Sequence, residues 1–419
     1  MAYVTHLRCS RCGSEYRLED GKVICDRDDL GRLDIYYDYE AISRTLTKET
    51  LEERRGGVWR YFELLPVSRR SSIVSLGEGG TPMIRSERLS KHLGLKNLYL
   101  KDETRNPTAS FKDRSMTVGV SKAVELGVKK TCTASSGNAA AALAAYSAKA
   151  GLECYAFVLE EASIGKISQL QLYGAKVFRV RRVEEEVDPT VQLLRLVVKN
   201  YGWYPCPSFG PFNPYQVEGP KTISYEIVEQ LGWRIPDWIL IPTGSACLLA
   251  GIWKGLKDYY ELGWIDHLPR LAAIQSTGNA PFVRAFKERM DPMNIEPWRN
   301  PRTVASGLMD PYPWDGDAGL IALRETDGVA EAVPDNLILE AQKLLASMEG
   351  VFAEPSGAAG LAGAMKLLED GVIDPSDEVV VLVTGSGLKD PDIVKSMFAE
   401  PPTIGPSLEE FTRMLSRLG

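Results

Sequence analysis

Lys112 lies in the run Asn106-Pro107-Thr108-Ala109-Ser110-Phe111-Lys112-Asp113-Arg114. Pro107 stiffens the approach, Ser110 is placed to cap a helix beginning at Phe111, and a lysine in that first turn is held at a strand-to-helix junction. An amine fixed and partly desolvated in this way can react with an aldehyde, which makes Lys112 the candidate Schiff-base residue for a covalent aldehyde cofactor. Further on, Thr133-Ala134-Ser135-Ser136-Gly137-Asn138 ends a strand and opens an alanine-rich helix. Its hydroxyls and backbone N–H groups surround a helix N-terminus, an anion site by geometry and dipole. Pro242-Thr243-Gly244-Ser245-Ala246-Cys247-Leu248 repeats the arrangement, and there the backbone N–H groups of residues 244–248 would cradle a phosphate. Each segment alone also reads as surface charge or plain helix capping; their joint presence gives them chemical meaning.

These segments need a frame of strands and helices. Strands are expected at 98–101, 131–134, 154–159, 176–180, 238–241, 271–275 and 378–383, several of them short apolar runs without alternation, as in strands buried on both faces of a parallel sheet. Helices are expected at 138–150, 164–173, 221–231, 248–262 and 356–368. The alternation predicts an α/β fold of two open, mostly parallel sheets flanked by helices, with ligands beyond the carboxyl ends of the strands. Residues 34–70 read as a helical linker anchored by Trp59, Tyr61 and Phe62. The proline-rich stretch 291–317 reads as a long surface or substrate-facing loop.

The chain has 419 residues, 44% of them hydrophobic, enough for a large core and more than one domain. With 49 basic and 56 acidic residues the net charge is −7, which gives no electrostatic reason to expect nucleic acid or an anionic membrane as partner. No apolar run reaches spanning length and the N-terminus has no signal core, so a cytoplasmic location is expected. The seven scattered cysteines read as buried thiols rather than a disulfide framework.

The Lys112 segment closely resembles the cofactor-lysine motif of the threonine synthase family of fold-type II pyridoxal-phosphate enzymes, which share the tryptophan synthase β-like fold. Gly77-Glu78-Gly79-Gly80-Thr81-Pro82, the Asn138 turn, Glu354-Pro355-Ser356-Gly357-Ala358 and Thr384-Gly385-Ser386-Gly387-Leu388-Lys389-Asp390-Pro391 follow in the family's order. The resemblance implies pyridoxal 5'-phosphate on Lys112, with Asn138 at its phenolic oxygen and its phosphate on Gly244, Ser245, Ala246, Cys247 and Leu248. It places Thr384 at the pyridine nitrogen, where a neutral hydroxyl tempers the electron sink. It places Ser135, Ser136 and Gly137 on the substrate carboxylate and Gln216 at the leaving group. It further implies a homodimer and an amino-acid substrate, O-phosphohomoserine by default, converted to threonine. The expected division is a ribbon at 1–33, a large domain at 34–110 and 209–400, a small mobile domain at 111–208 and a tail at 401–419.

Departures from the motif concern phosphate. Ala139 stands where the family has a threonine, and 210–219 reads Gly-Pro-Phe-Asn-Pro-Tyr-Gln-Val-Glu-Gly, which puts Gln216 in place of a clamp arginine. A lost charged hydrogen bond weakens binding by about 1.5 to 3 kcal/mol. Lys166, Lys221 and Arg114 are the nearby candidate replacements. The alternative reading is β-elimination or β-replacement on serine-, threonine- or O-phosphoserine-like substrates, as in a dehydratase or cysteate synthase-like enzyme; a non-catalytic cofactor- or amino-acid-binding protein is the alternative of another class. Cys9, Cys12 and Cys25 have ribbon spacing without a fourth cysteine. Asp28 or His6 could complete a zinc site, but a degenerate ribbon held by packing is the preferred expectation.

Overall fold

The computed structural model describes residues 3–27, 30–162, 164–183 and 188–418. Strands β1 (Val4–Cys9), β2 (Glu15–Tyr16) and β3 (Leu33–Tyr37) form a small antiparallel sheet in the order β2-β1-β3. Residues 34–37, expected to begin a helical linker, are therefore strand. Leu33, Ile35 and Tyr37 turn inward and alternate with Asp34 and Tyr36, a period of two that only a strand provides. Short helices Tyr39–Ser43, Lys48–Glu52 and the 3-10 segment Val58–Leu64 follow. Trp59 there donates through Nε1 to Thr117 Oγ1 at 2.8 Å, tying this stretch to the helix that carries Lys112.

The remaining strands are β4 (Met83–Arg85), β5 (Asn97–Asp102), β6 (Lys130–Ala134), β7 (Glu153–Leu159), β8 (Lys176–Val180), β9 (Tyr204–Pro205), β10 (Trp238–Pro242), β11 (Arg270–Ser276), β12 (Val329–Val333) and β13 (Glu378–Val383). They form two sheets, ordered β12-β11-β10-β13-β5-β4 and β8-β7-β6-β9. All pairings are parallel except β4 with β5. β10 is buried at every position and β13 at all but its first, which explains apolar runs without alternation. β8, at the edge of its sheet, is largely exposed and carries Lys176 and Arg179, charges that discourage edge pairing. Strand β12 and the helices Pro189–Tyr201 and Asp335–Glu349 lay outside the sequence expectation. Among the described residues no helix is long and apolar enough to cross a membrane.

The helix Lys112–Glu125 is fixed to the large sheet by a buried ion network. Arg114 Nε donates to Glu103 Oε2 and its Nη1 to Glu226 Oε1, both at 2.7 Å, and Lys101 Nζ reaches Glu226 Oε2 at 2.7 Å. Removing one partner of such a network typically destabilises by about 3 to 5 kcal/mol, because a buried charge is left uncompensated. Gly219 permits the closeness, since a Cβ there would lie 1.9 Å from the Arg114 carbonyl oxygen.

Candidate functional site

The helix bearing Lys112 starts at Lys112 itself, with Phe111 as its cap residue. Ser110 does not cap it: its hydroxyl is buried without a hydrogen bond. The reason is that backbone from 109 to 111 is stitched across to the β13 exit. Phe111 N–H donates to Thr384 C=O at 3.0 Å and Ser386 N–H to Ala109 C=O at 2.9 Å, with Ser110 and Gly385 as bridge partners. Thr384, which the sequence places far from Lys112, is thereby held beside its turn.

Lys112 is half-buried, and Nζ touches two side chains. Ser208 Oγ lies 2.7 Å away and Cys247 Sγ 3.5 Å away. Three of the non-glycine residues with positive φ belong to this neighbourhood: Ala109 (+63°), Ser208 (+68°) and Ala246 (+69°). Left-handed conformations disfavour residues with a Cβ, and strain of this kind collects at sites that over-determine it.

Two helix N-termini face the region. The first intrahelical bond of Cys247–Glu261 runs from Ala250 N–H to Ala246 C=O, so the N–H groups of Cys247, Leu248 and Leu249 have no acceptor within the helix. Gly244 keeps the turn open: a Cβ there would stand 2.8 Å from Asp310 Oδ2 and 2.9 Å from Gly307 C=O. In Asn138–Ala150 the first intrahelical bond runs from Ala141 N–H to Gly137 C=O, Ser135 Oγ accepts from Gly137 N–H at 3.2 Å, and Ser136 makes no side-chain bond. Asn138 Nδ2 donates to Glu354 Oε1 at 2.7 Å, next to Gly385.

Carboxylates to which the sequence reading gave no individual role line the same space. Asp310 accepts from Ser245 N–H; burial pushes it up to about 6, against the pull of Lys112. Asp315 is fully buried, accepts from Gly210 N–H at 3.0 and 3.1 Å, and is pushed up to about 7 by burial, against the pull of Arg32. Arg32, from the N-terminal sheet, is itself buried and bonds Asp34 at 2.8 Å and Asp317 at 2.5 Å. Burial also raises Glu354. The proline-rich stretch 291–317 reads in the sequence as a long surface or substrate-facing loop; which of its acids turn inward is visible only in the structure.

Several expected groups lie elsewhere. Gln216 is fully buried and its Nε2 donates to Phe209 C=O at 3.1 Å, while its Oε1 is buried without a hydrogen bond. It packs there because its Cβ sits in the space that Gly119 leaves, 3.1 Å from where a Cβ of that glycine would be. Arg114 is engaged by Glu103 and Glu226, and Lys221 by Glu218 and Asp258, all of them buried, so neither is a free cation for a leaving group. Lys166 reaches across to Ser306 Oγ at 3.0 Å and Asp390 Oδ2 at 3.4 Å.

In the ribbon, the sulfurs of Cys9, Cys12 and Cys25 lie within 4.8 Å of one another, and none of the seven cysteines is in a disulfide. His6 is turned away, bonded through Nδ1 to Thr5 and stacked on Tyr36. Asp28 lies outside the described residues.

The residues fit pyridoxal phosphate on the structure's own terms: a half-buried primary amine, unengaged helix-start amides, and a turn that any side chain at Gly244 would fill. The family model described as "Pyridoxal-phosphate dependent enzyme" matches residues 74–385. Threonine synthase of Methanocaldococcus jannaschii is 43% identical over 412 residues, covering 98% of this chain and 99% of the relative. That of Methanosarcina acetivorans is 41% identical over 405 residues, covering 96% and 97%. Among solved structures, maize serine racemase superposes with a TM-score of 0.64 at 23% identity over 76% of this chain and 91% of that one. A fungal L-serine ammonia-lyase from Rhizomucor miehei gives 0.64 at 23% identity over 75% and 96%. At such identities these two superpositions speak for the fold alone.

Proposed function

The chain belongs to the pyridoxal-phosphate dependent enzymes and, among them, to the threonine synthase family; from that premise we propose a lyase that removes a β or γ substituent from an amino acid, with Lys112 as its catalytic base. The observation that carries this reading is the Lys112 amine, half-buried on Ser208 and Cys247 where the helix Cys247–Glu261 begins. Pyridoxal phosphate, when bound, supplies an aldehyde carbon for this lysine and a ring that withdraws electrons from the substrate's Cα. Of the N–H groups expected at 244–248, that of Ser245 is given to Asp310 and the others would hold its phosphate, with Asn138 at its phenolic oxygen and Thr384 offering a neutral hydroxyl to its nitrogen. Ser135, Ser136 and Gly137, at the other helix start, would bind the substrate carboxylate. Lys112, freed as an amine, would take the Cα proton and hold it for the later steps.

O-Phosphohomoserine is the default substrate of this reading. A specific observation favours the second reading, elimination from a serine- or threonine-like amino acid. The segment expected to hold a departing phosphate carries no lysine or arginine of its own, the Arg32 beside it is paired with Asp34 and Asp317, Gln216 is bonded inward and Gly210 N–H is given to Asp315. A desolvated dianion without a charged partner is strongly disfavoured. The reading includes a cytoplasmic homodimer and a ribbon held by packing, with zinc on Cys9, Cys12 and Cys25 as the alternative that metal analysis of purified protein decides.

The test is spectroscopic. Purified protein should show a visible band from lysine-bound cofactor, and borohydride should fix the label on Lys112. Label on another lysine, or an intact band in Lys112→Ala, would refute the assignment.

A further inference from the structure

The sulfur cluster of the N-terminal sheet has no part in the cofactor site described above. Cys12 Sγ lies 3.5 Å from Cys25 Sγ, and both lie within 4.8 Å of Cys9 Sγ. An ion bonded at about 2.3 Å to each of three sulfurs in a tetrahedral arrangement sets them about 3.8 Å apart, so shifts of about 1 Å or less complete such a site. Donors stand beside the sulfurs. Ser14 Oγ is 3.2 Å from Cys12 Sγ and the Tyr16 hydroxyl 3.4 Å from Cys25 Sγ, and both hydroxyls can turn to donate to a thiolate. Cys9 and Cys25 are buried, while Cys12 is half-exposed and gives a cation its way in.

Among the described residues no fourth histidine, cysteine or carboxylate joins the three. A metal here keeps one position for water, the arrangement of an exchangeable site rather than of a closed structural one. The sheet does not depend on an ion for its place in the fold, because Leu7, Leu33, Ile35 and Tyr37 pack into the same core as Met116 and Val120 of the Lys112 helix. An ion would grip the knuckle 9–12, and two threads lead from that knuckle to the loop 291–317. Ser10 N–H donates to Arg32 C=O at 2.8 Å, Ser10 Oγ accepts from Arg32 N–H at 3.1 Å, and the Arg32 guanidinium holds Asp317. Arg11 Nη2 donates to Met293 C=O at 3.2 Å. The loop held at both ends supplies Asp310, which feels the charge of Lys112 and accepts from Ser245 N–H.

We propose that Cys9, Cys12 and Cys25 form a reversible site for a thiophilic divalent cation of the zinc class, and that its occupancy orders the loop 291–317 and through it the cofactor turn. Each thiol gives up a proton to solvent as its sulfur bonds the metal, and nothing is oxidised or reduced. The effect on the cofactor rests on the assignment of the 244–248 turn in the reading above; the metal site does not.

The experiment titrates chelator-treated full-length protein with Cd2+, whose bonds to thiolates absorb in the ultraviolet, clear of the visible cofactor band. A single equivalent should complete the ultraviolet band, Zn2+ should displace it, and Cys12→Ser should lose it. Zn2+ should also protect Cys12 of the parent from alkylation, a readout that needs no variant. Cofactor retention, read from the visible band, should tighten roughly fivefold with Cd2+ bound, and the cofactor-loaded chain should bind Cd2+ more tightly than the cofactor-free chain by the same factor. Ser10→Ala combined with Arg11→Ala should keep the ultraviolet band and lose that coupling. No thiolate band in the parent, or an undiminished one in Cys12→Ser, would overturn the site. A band with cofactor retention unmoved would overturn the coupling. Absence of a Lys112-linked visible band would instead remove the lyase reading and leave the metal result standing.

Discussion

Two turns in this molecule have the same plan and opposite surfaces. At 135–138 a parallel strand ends in serines, a glycine and an asparagine, and all four residues are half-buried. At 244–248 a parallel strand ends in Gly-Ser-Ala-Cys-Leu, and every residue but Gly244 is buried. The first presents hydroxyls that can rotate to suit a small molecule. The second presents little but backbone N–H groups, held by a strained Ala246 and walled by Asp310. Adaptable side chains suit a substrate that enters and leaves at each turnover, and fixed amides suit a cofactor that stays.

Glycine substitution should separate the two turns most sharply. Gly244→Val would force a side chain against Asp310 and the Gly307 carbonyl, an overpacking of about 1 to 3 kcal/mol. Titration with pyridoxal phosphate, read by visible absorbance, should show retention weakened by roughly ten- to a hundredfold. Gly137→Ala meets nothing closer than Ser135 Oγ at 4.0 Å. It should leave cofactor retention nearly unchanged and raise KM for the amino acid. Equal effects of the two substitutions on cofactor retention would erase the distinction.

Asp310 gives a smaller effect with a definite sign. Burial pushes it up to about 6, so between its ordinary pKa near 3.9 and 6 the folded chain holds a proton that the unfolded chain has released. Stability from this group therefore falls as pH rises through that window. Asp310→Asn should resist urea better than the parent at pH 7, with the gap closed near pH 4. The same charge opposes a phosphate on the turn. The variant should bind pyridoxal phosphate about three- to tenfold more tightly at pH 7.5, and the parent should approach it as pH falls through 6. A parent-to-variant ratio flat in pH would mean that Asp310 does not face the phosphate position.

The smallest effect is expected at Ala246→Gly. Relief of the left-handed strain, partly offset by the freer unfolded chain, should stabilise by up to about 1 kcal/mol without changing the visible spectrum. A loss of stability would mean that the alanine methyl packs more than its backbone strains.

The sequence discloses the two turns and Lys112 because their signals are local: small and polar residues between an apolar strand and a helical period. It discloses most strands of the two larger sheets for the same reason. It misleads at Ser110, where the long-range bridge to Gly385 outweighs a local capping preference. It also misleads at 34–37, where a five-residue strand is too short to announce its period. Ser208, Asp315 and Arg32 leave no local trace. Their meaning arises when the segments around residues 32, 112, 208 and 315 meet, and no spacing along the chain encodes that meeting. Gln216 shows the reverse limit: its place in a motif is plain, but the direction of its side chain depends on the space beside Gly119.

The bond between Arg32 and Asp317 joins residues 285 positions apart. On a ribosome adding roughly 5 to 20 residues per second, the first partner waits about 15 to 60 seconds for the second to be made. Until then the buried arginine has only Asp34 to neutralise it, and Gly210 N–H lacks the Asp315 carboxylate. The small sheet beside Arg32 is thus synthesised well before the segment that fastens it. The surroundings of the Lys112 amine can therefore close only after residue 317 has been made.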